Sequence, residues 1–131
     1  MRRRLNDARK DNAFWELGNK FVRESQNFKS TMTHIYPQEA EKKLNQPDVI
    51  FLDVRTRGEY ARRRIAQAIN IPLDELLQRH RELDAEKEII VLCEHGIRSQ
   101  SATGLLMQLG FMRVVNMIGG MSHWKGETVS D

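Results

Sequence analysis

The sequence predicts a doubly wound α/β domain, a mostly parallel sheet with helices on both faces, preceded by an N-terminal helical extension. Two observations carry that expectation. Val49-Ile50-Phe51-Leu52 and Ile89-Ile90-Val91-Leu92 are short apolar runs rich in β-branched residues, the pattern of strands buried on both faces. Stretches with helix-start signals and helical apolar spacing alternate with them, which sets strands in parallel beneath covering helices. The 131 residues suffice for one core plus a tail, and they contain no internal repeat or low-complexity tract.

Taken in order, residues 1–33 form a basic extension. Phe14, Leu17, Phe21 and Phe28 recur at helix-compatible spacing, with Trp15 and Val22 broadening the stripe. A helix of roughly four turns is expected from near Asp11. Its aromatic face either packs on its own domain or docks a partner or a second copy. Asn27 to His34 reads as a linker, and residues 34–131 as the domain. Ile35-Tyr36 is expected as an edge strand, and Pro37 opens a helix running to Leu44, with Glu39 and Glu41 early and Lys42 and Lys43 late, as the macrodipole prefers. A turn at Asn45-Gln46-Pro47-Asp48 leads into the Val49 strand, which ends at Asp53-Val54-Arg55. Thr56-Arg57-Gly58-Glu59 has the spacing of a capping box and starts a short helix containing Tyr60. Ile65 to Ile71 is expected to be extended, Asn70-Ile71-Pro72 to introduce a helix carrying Leu73, Leu76 and Leu77, and Asp84 to Lys87 to turn into the Ile89 strand. Past that strand and a loop, Ser99 is placed to cap a helix with Ala102, Leu105, Leu106 and Leu109 on its apolar face, stopping at Gly110. Arg113 to Met117 supplies a last strand, and Gly119-Gly120 turns into a final short helix with Met121 and Trp124.

Charge and cysteine usage narrow the function classes. Net charge is +3, but residues 1–33 carry eight Lys/Arg against four Asp/Glu while the remainder carries thirteen against fourteen. The basic character belongs to the extension, so nucleic-acid binding is not expected of the domain. Met1-Arg2-Arg3-Arg4 has the look of a targeting signal, yet Asp7 and Asp11 intervene and no apolar stretch follows. No apolar run approaches the ~20 residues that span a bilayer, and a cytoplasmic location is expected. One cysteine excludes an internal disulfide, a zinc site of several cysteines and an internal resolving thiol. Any sulfur chemistry must therefore finish on another molecule.

That cysteine opens the stretch Cys93-Glu94-His95-Gly96-Ile97-Arg98-Ser99, at the C-terminal end of a buried strand and just before a helix. Ligands of parallel α/β sheets bind at such strand ends. Loop N–H groups and the helix dipole there favour negative charge, so the expectation is a nucleophilic thiolate in an anion cradle rather than an inert core cysteine. Gly96 supplies the backbone freedom by which the loop turns in on itself.

Three features coincide in order along the chain: Asp53-Val54-Arg55, Cys93 to Ser99, and Gly119-Gly120 followed by Trp124, with Asn70-Ile71-Pro72 between the first two. Together they resemble the single-domain rhodaneses, the thiosulfate sulfurtransferase-like family, from about Ile35 to Lys125. The resemblance implies a rhodanese-like fold in which Cys93 takes sulfane sulfur from a small donor, thiosulfate or a persulfide, and delivers it from a persulfide to an acceptor protein or small thiol. It implies substrate contacts from Glu94, His95, Gly96, Ile97, Arg98 and Ser99, and a supporting charge pair at Asp53 and Arg55. No cofactor or metal is expected, since Cys93 and His95 alone are too few ligands. Glu94 is expected to point to solvent, and His34, His80 and His123 to be ordinary surface residues. Two alternatives stand beside sulfur transfer. A cysteine phosphatase or arsenate reductase places five residues between cysteine and arginine, whereas four, Glu94 to Ile97, lie between Cys93 and Arg98 here, a smaller cradle suited to one sulfur atom. A regulatory binding module of this fold generally lacks the cysteine. Where the family commonly has Gly-His-Ile-Pro-Gly-Ala, this chain has Arg63-Arg64-Ile65-Ala66-Gln67-Ala68. Arg62, Arg63 and Arg64 form there either a patch for an anionic donor or acidic partner, or a solvated helix end.

Overall fold

A computed structural model of the chain describes residues 32–131; the helix expected near Asp11 lies outside them. Five strands, β1 (Thr33–Ile35), β2 (Val49–Asp53), β3 (Ile69–Asn70), β4 (Glu88–Leu92) and β5 (Val114–Met117), alternate with helices α1 (Pro37–Glu41), α2 (Arg57–Arg62), α3 (Leu76–Arg79) and α4 (Arg98–Gln108). All sheet pairings are parallel, in the order β1-β5-β4-β2-β3. The doubly wound α/β expectation is met.

The core explains why β2 and β4 carry unbroken apolar runs. Leu52, Ile89 and Val91 face one layer, packed with Leu76, Ala102 and Leu106. Phe51, Ile90 and Leu92 face the other, against Ala40, Ile65, Met117, Met121 and Trp124. With helices on both faces, neither side of the central strands can be polar. Thr56 caps α2 as its spacing predicts: its Oγ1 accepts the Glu59 N–H at 3.2 Å, and Glu59 Oε1 accepts the Thr56 N–H at 3.0 Å.

Several boundaries differ from expectation. β1 takes in Thr33 and His34, read above as linker, because this edge strand pairs with β5 in the register Thr33–Val115, His34–Asn116, Ile35–Met117. Helix α1 stops at Glu41 rather than Leu44: Lys42, Lys43 and Leu44 each bond back three residues, to Glu39, Ala40 and Glu41, winding the chain into tighter turns. Of the Ile65–Ile71 stretch only Ile69–Asn70 joins the sheet. Ser99 does not cap α4. Ile97 holds the N-cap position, and Ser99 lies inside the first turn with its side chain aimed elsewhere.

Candidate active site

β2 and β4 end level with one another, Asp53 opposite Leu92, so Cys93 and Arg55 emerge side by side at the C-terminal edge of the sheet. Cys93 is only 1% exposed. Its Sγ accepts the backbone N–H of Gly96 at 3.1 Å and of Ser99 at 3.2 Å. Gly96 aims its N–H back at the sulfur from φ +91°, and a Cβ there would press on the Gly119 nitrogen at 3.0 Å. The loop is clamped from above as well: the N–H groups of Met121 and Ser122 donate to the carbonyls of Cys93 and Glu94 at 2.8 and 2.9 Å. These are the loops that the Gly119-Gly120 motif brings together.

Asp53 and Arg55 form a buried pair beside this loop, 0% and 2% exposed. Arg55 Nε donates to Asp53 Oδ1 and Oδ2 at 3.0 and 3.1 Å, and Nη2 to Oδ2 at 2.7 Å. Burial opposes the Arg55 charge, but the Asp53 carboxylate and then Glu94 hold it firmly protonated. Arg55 Nη1 reaches Glu94 Oε1 at 3.2 Å, so Glu94 is turned onto a buried cation rather than into solvent as expected. Asn70 Nδ2 closes the frame by donating to the carbonyls of Asp53 and Arg55 at 2.9 and 3.0 Å.

The remaining loop residues divide by direction. His95 and Ile97 are exposed at the rim, Ile97 by 74%. Arg98 grips Glu59 through Nη1–Oε1 and Nη2–Oε2 at 2.8 and 2.9 Å, close enough to Cys93 for a sulfur charge to favour its own. The Arg98 hydrogen bond holds the Glu59 carboxyl down at about 2, with Thr56 adding to it. A depressed carboxylate stabilises the fold above its unfolded value of 4.5 and loses that contribution as pH falls through about 2. Both side chains touch water, so the contribution is about 1 kcal/mol. Glu59→Gln is therefore expected to lower stability by that amount at pH 7 and by clearly less near pH 2, where Glu59 is about half protonated, read as urea midpoints at the two pH values. An equal loss at both would assign the effect to the cap rather than the charge.

Three contributors escaped the sequence reading. Arg63 ties the frame to the clamping turn: its carbonyl accepts Arg55 Nη2 at 2.6 Å, while its guanidinium donates to Met121 O and Trp124 O at 3.0 and 3.1 Å. Arg64 pairs with Asp131 at 2.8 Å and lies over the Tyr60 ring. Two of the three arginines read as a possible patch are thus occupied within the fold. Asn116 and His34 are the other two contributors. Ser99 Oγ stands 3.4 Å from Cys93 Sγ and donates to Asn116 Oδ1 at 2.5 Å, and Asn116 Nδ2 lies 3.1 Å from His34 Nδ1. A lone polar residue in the buried strand Val114–Met117 was the available signal for Asn116. His34 has a partner after all. Among the described residues no three His, Cys, Asp or Glu side chains gather as a metal site would require, and no helix is long and apolar enough to cross a membrane.

The site is thus a sulfur held by convergent N–H donors at a strand end, braced by a buried ion pair. A family model for the rhodanese-like domain matches residues 36–127. The chain is 36% identical over 87 residues to thiosulfate sulfurtransferase GlpE of Coxiella burnetii, covering 66% of this chain and 81% of that protein. It is 32% identical over 85 residues to a sulfurtransferase of Allochromatium vinosum, covering 65% and 79%. Among solved structures, a rhodanese-related protein of Thermoplasma volcanium superposes with a TM-score of 0.69 at 31% identity, covering 76% of this chain and 99% of that one.

Proposed function

The chain belongs to the rhodanese-like domain family, whose named relatives here are sulfurtransferases, and from that membership we propose that it transfers sulfane sulfur through a persulfide on Cys93. In the first half-reaction the Cys93 thiolate attacks the outer sulfur of thiosulfate or of a small persulfide. The new S–S bond forms on Cys93 as the donor's S–S bond breaks, and sulfite or a thiolate departs with the electron pair. A nucleophilic acceptor, cyanide or a thiol, then attacks the terminal sulfur and Cys93 leaves as thiolate. Neither half needs a separate general base, because the thiolate is both nucleophile and leaving group.

One observation carries this reading: the Gly96 and Ser99 N–H groups both point at Cys93 Sγ, at 3.1 and 3.2 Å. Donors so fixed stabilise negative charge on sulfur without reorganising. The phosphatase alternative requires an arginine free to grip an oxyanion, and Arg98 is committed to Glu59. The support from Asp53 and Arg55 is to hold the loop through Glu94. With a single cysteine in the chain, the sulfur must leave on a separate acceptor.

Intact-mass spectrometry after thiosulfate treatment tests the proposal. Wild type is expected to gain the mass of one sulfur atom, lost again on adding cyanide or a thiol, and Cys93→Ser to gain nothing. Absence of the adduct, together with phosphate release from an aryl phosphate, would replace sulfur transfer with phosphatase chemistry.

A further inference from the structure

We propose that the cavity between α1 and the segment following β5 is a binding site for a small apolar α-amino acid, held as its zwitterion by Glu41 and Lys125. The site is separate from the sulfur cradle, and the inference goes beyond sulfur transfer without resting on it.

Tyr36 follows β1 and Ile118 follows β5, and both line the cavity. It therefore lies at the C-terminal edge of the sheet, the edge on which Cys93 follows the neighbouring β4. Ligands of parallel α/β sheets bind at that edge. The volume is about 290 Å³, at the small end for ligand sites. It suits a molecule of amino-acid size and not a nucleotide.

The apolar part of the wall is Pro37, Ile118 and the ring of Tyr36, which the fold leaves 58% exposed. His123 forms the side next to the Gly119 turn. Its Nδ1 lies 3.2 Å from the Gly119 carbonyl oxygen, and its ring fills the space that a Cβ on Gly119 would need. That wall is thus fixed by packing.

Glu41 and Lys125 bring charges of opposite sign to the same cavity. Among the described residues neither side chain has a hydrogen-bond or ion-pair partner, in the other or elsewhere. Glu41 is nonetheless seated: a Cβ on Gly126 would lie 2.9 Å from its Oε2, so the carboxylate rests against the backbone next to Lys125. An acid and a base left apart around one cavity offer an acceptor to an ammonium and a donor to a carboxylate at once. Both bonds are charge-assisted, the stronger class. A simple anion would be opposed by Glu41 and a simple cation by Lys125, whereas the zwitterion satisfies both. Its side chain then covers Ile118 and the Tyr36 ring.

Titrating the isotope-labelled full chain with L-methionine, followed by amide NMR, tests the site; the thioether carries no sulfane sulfur. Saturable shifts at Ile118, Lys125 and Gly126 are expected, with a Kd on the order of 1 mM. L-Methioninamide lacks the carboxylate and N-acetyl-L-methionine the ammonium, and each should bind about tenfold more weakly, the scale of one charge-assisted hydrogen bond. Glu41→Gln should weaken methionine by a similar factor and leave N-acetylmethionine unaffected. Lys125→Gln should weaken methionine and leave methioninamide unaffected. Both residues are exposed, so both variants keep the fold. Cys93→Ser should bind methionine as wild type does, so a failure of sulfur transfer leaves this inference standing. Binding that does not saturate by about 50 mM methionine would overturn it. So would equal affinity for methionine and its two charge-deleted derivatives, or saturable binding lost in Cys93→Ser, which would assign the ligand to the sulfur site.

Discussion

Asp53→Ala is expected to lower the unfolding free energy by about 3–5 kcal/mol, the cost of stranding a buried cation. Arg55 is 2% exposed and directs Nε and Nη2 at the Asp53 carboxylate. Without Asp53 its guanidinium keeps only Glu94 Oε1 at 3.2 Å and the Arg63 carbonyl at 2.6 Å. Glu94 is itself 30% exposed and cannot match the lost partner. The Arg55 backbone N–H, which also donates to Asp53 Oδ1 at 3.0 Å, loses its acceptor in the same step. Urea denaturation monitored by tryptophan fluorescence measures the loss. The double variant Asp53→Ala/Arg55→Met should recover much of it, since removing both charges leaves none unpaired. A loss below about 1 kcal/mol in the single variant would mean that water reaches the guanidinium and that the pair is ornamental to stability.

That pair marks where sequence reading reaches and where it stops. The features around Cys93 were legible because each is local: four apolar residues make the strand, and Gly96 and Ser99 lie within the loop whose N–H groups turn inward. Asp53 and Arg55 were legible through resemblance, and their distance of two residues makes the contact short-range. Partners across the sheet were not. Glu94 meets Arg55 across 39 residues, and Arg98 meets Glu59 across 39, contacts that depend on β2 lying beside β4. Glu94 was accordingly assigned to solvent. His34 meets Asn116 across 82 residues and only because the first strand pairs with the last, so no local signal could give it a partner. Counting charge at Arg62 to Arg64 likewise could not show that the Arg63 guanidinium satisfies the carbonyls of Met121 and Trp124. Ser99 was misassigned for a related reason. Its residue type and position fit a cap, but a buried sulfur and a buried amide compete for its hydroxyl and win.

Gly120→Ala is expected to lower sulfur transfer by about a hundredfold, the effect of displacing a reacting group by about an ångström. A Cβ at Gly120 would sit 2.2 Å from the Cys93 carbonyl oxygen and 2.9 Å from the carbonyl carbons of Cys93 and Glu94, all backbone. No side chain can swing aside to relieve that overlap. The turn must retreat from the loop, and the bonds from Met121 and Ser122 that clamp it stretch with the movement. Gly96, whose own approach to Gly119 is already close, then loses the surface that holds its N–H on the sulfur. The backbone at φ +61° adds strain of about 1–2 kcal/mol for any residue with a Cβ. Gly110→Ala separates the two effects. Gly110 has φ +98°, but a Cβ there meets nothing within 4 Å, and it lies past the far end of α4 from the loop. It should cost about 1 kcal/mol of stability and leave sulfur transfer unchanged. Rates from sulfite release, with urea midpoints for both variants, decide the matter. If Gly120→Ala retained wild-type turnover, the loop would hold its shape without the turn above it, and the cradle would be a property of the Cys93–Ser99 stretch alone.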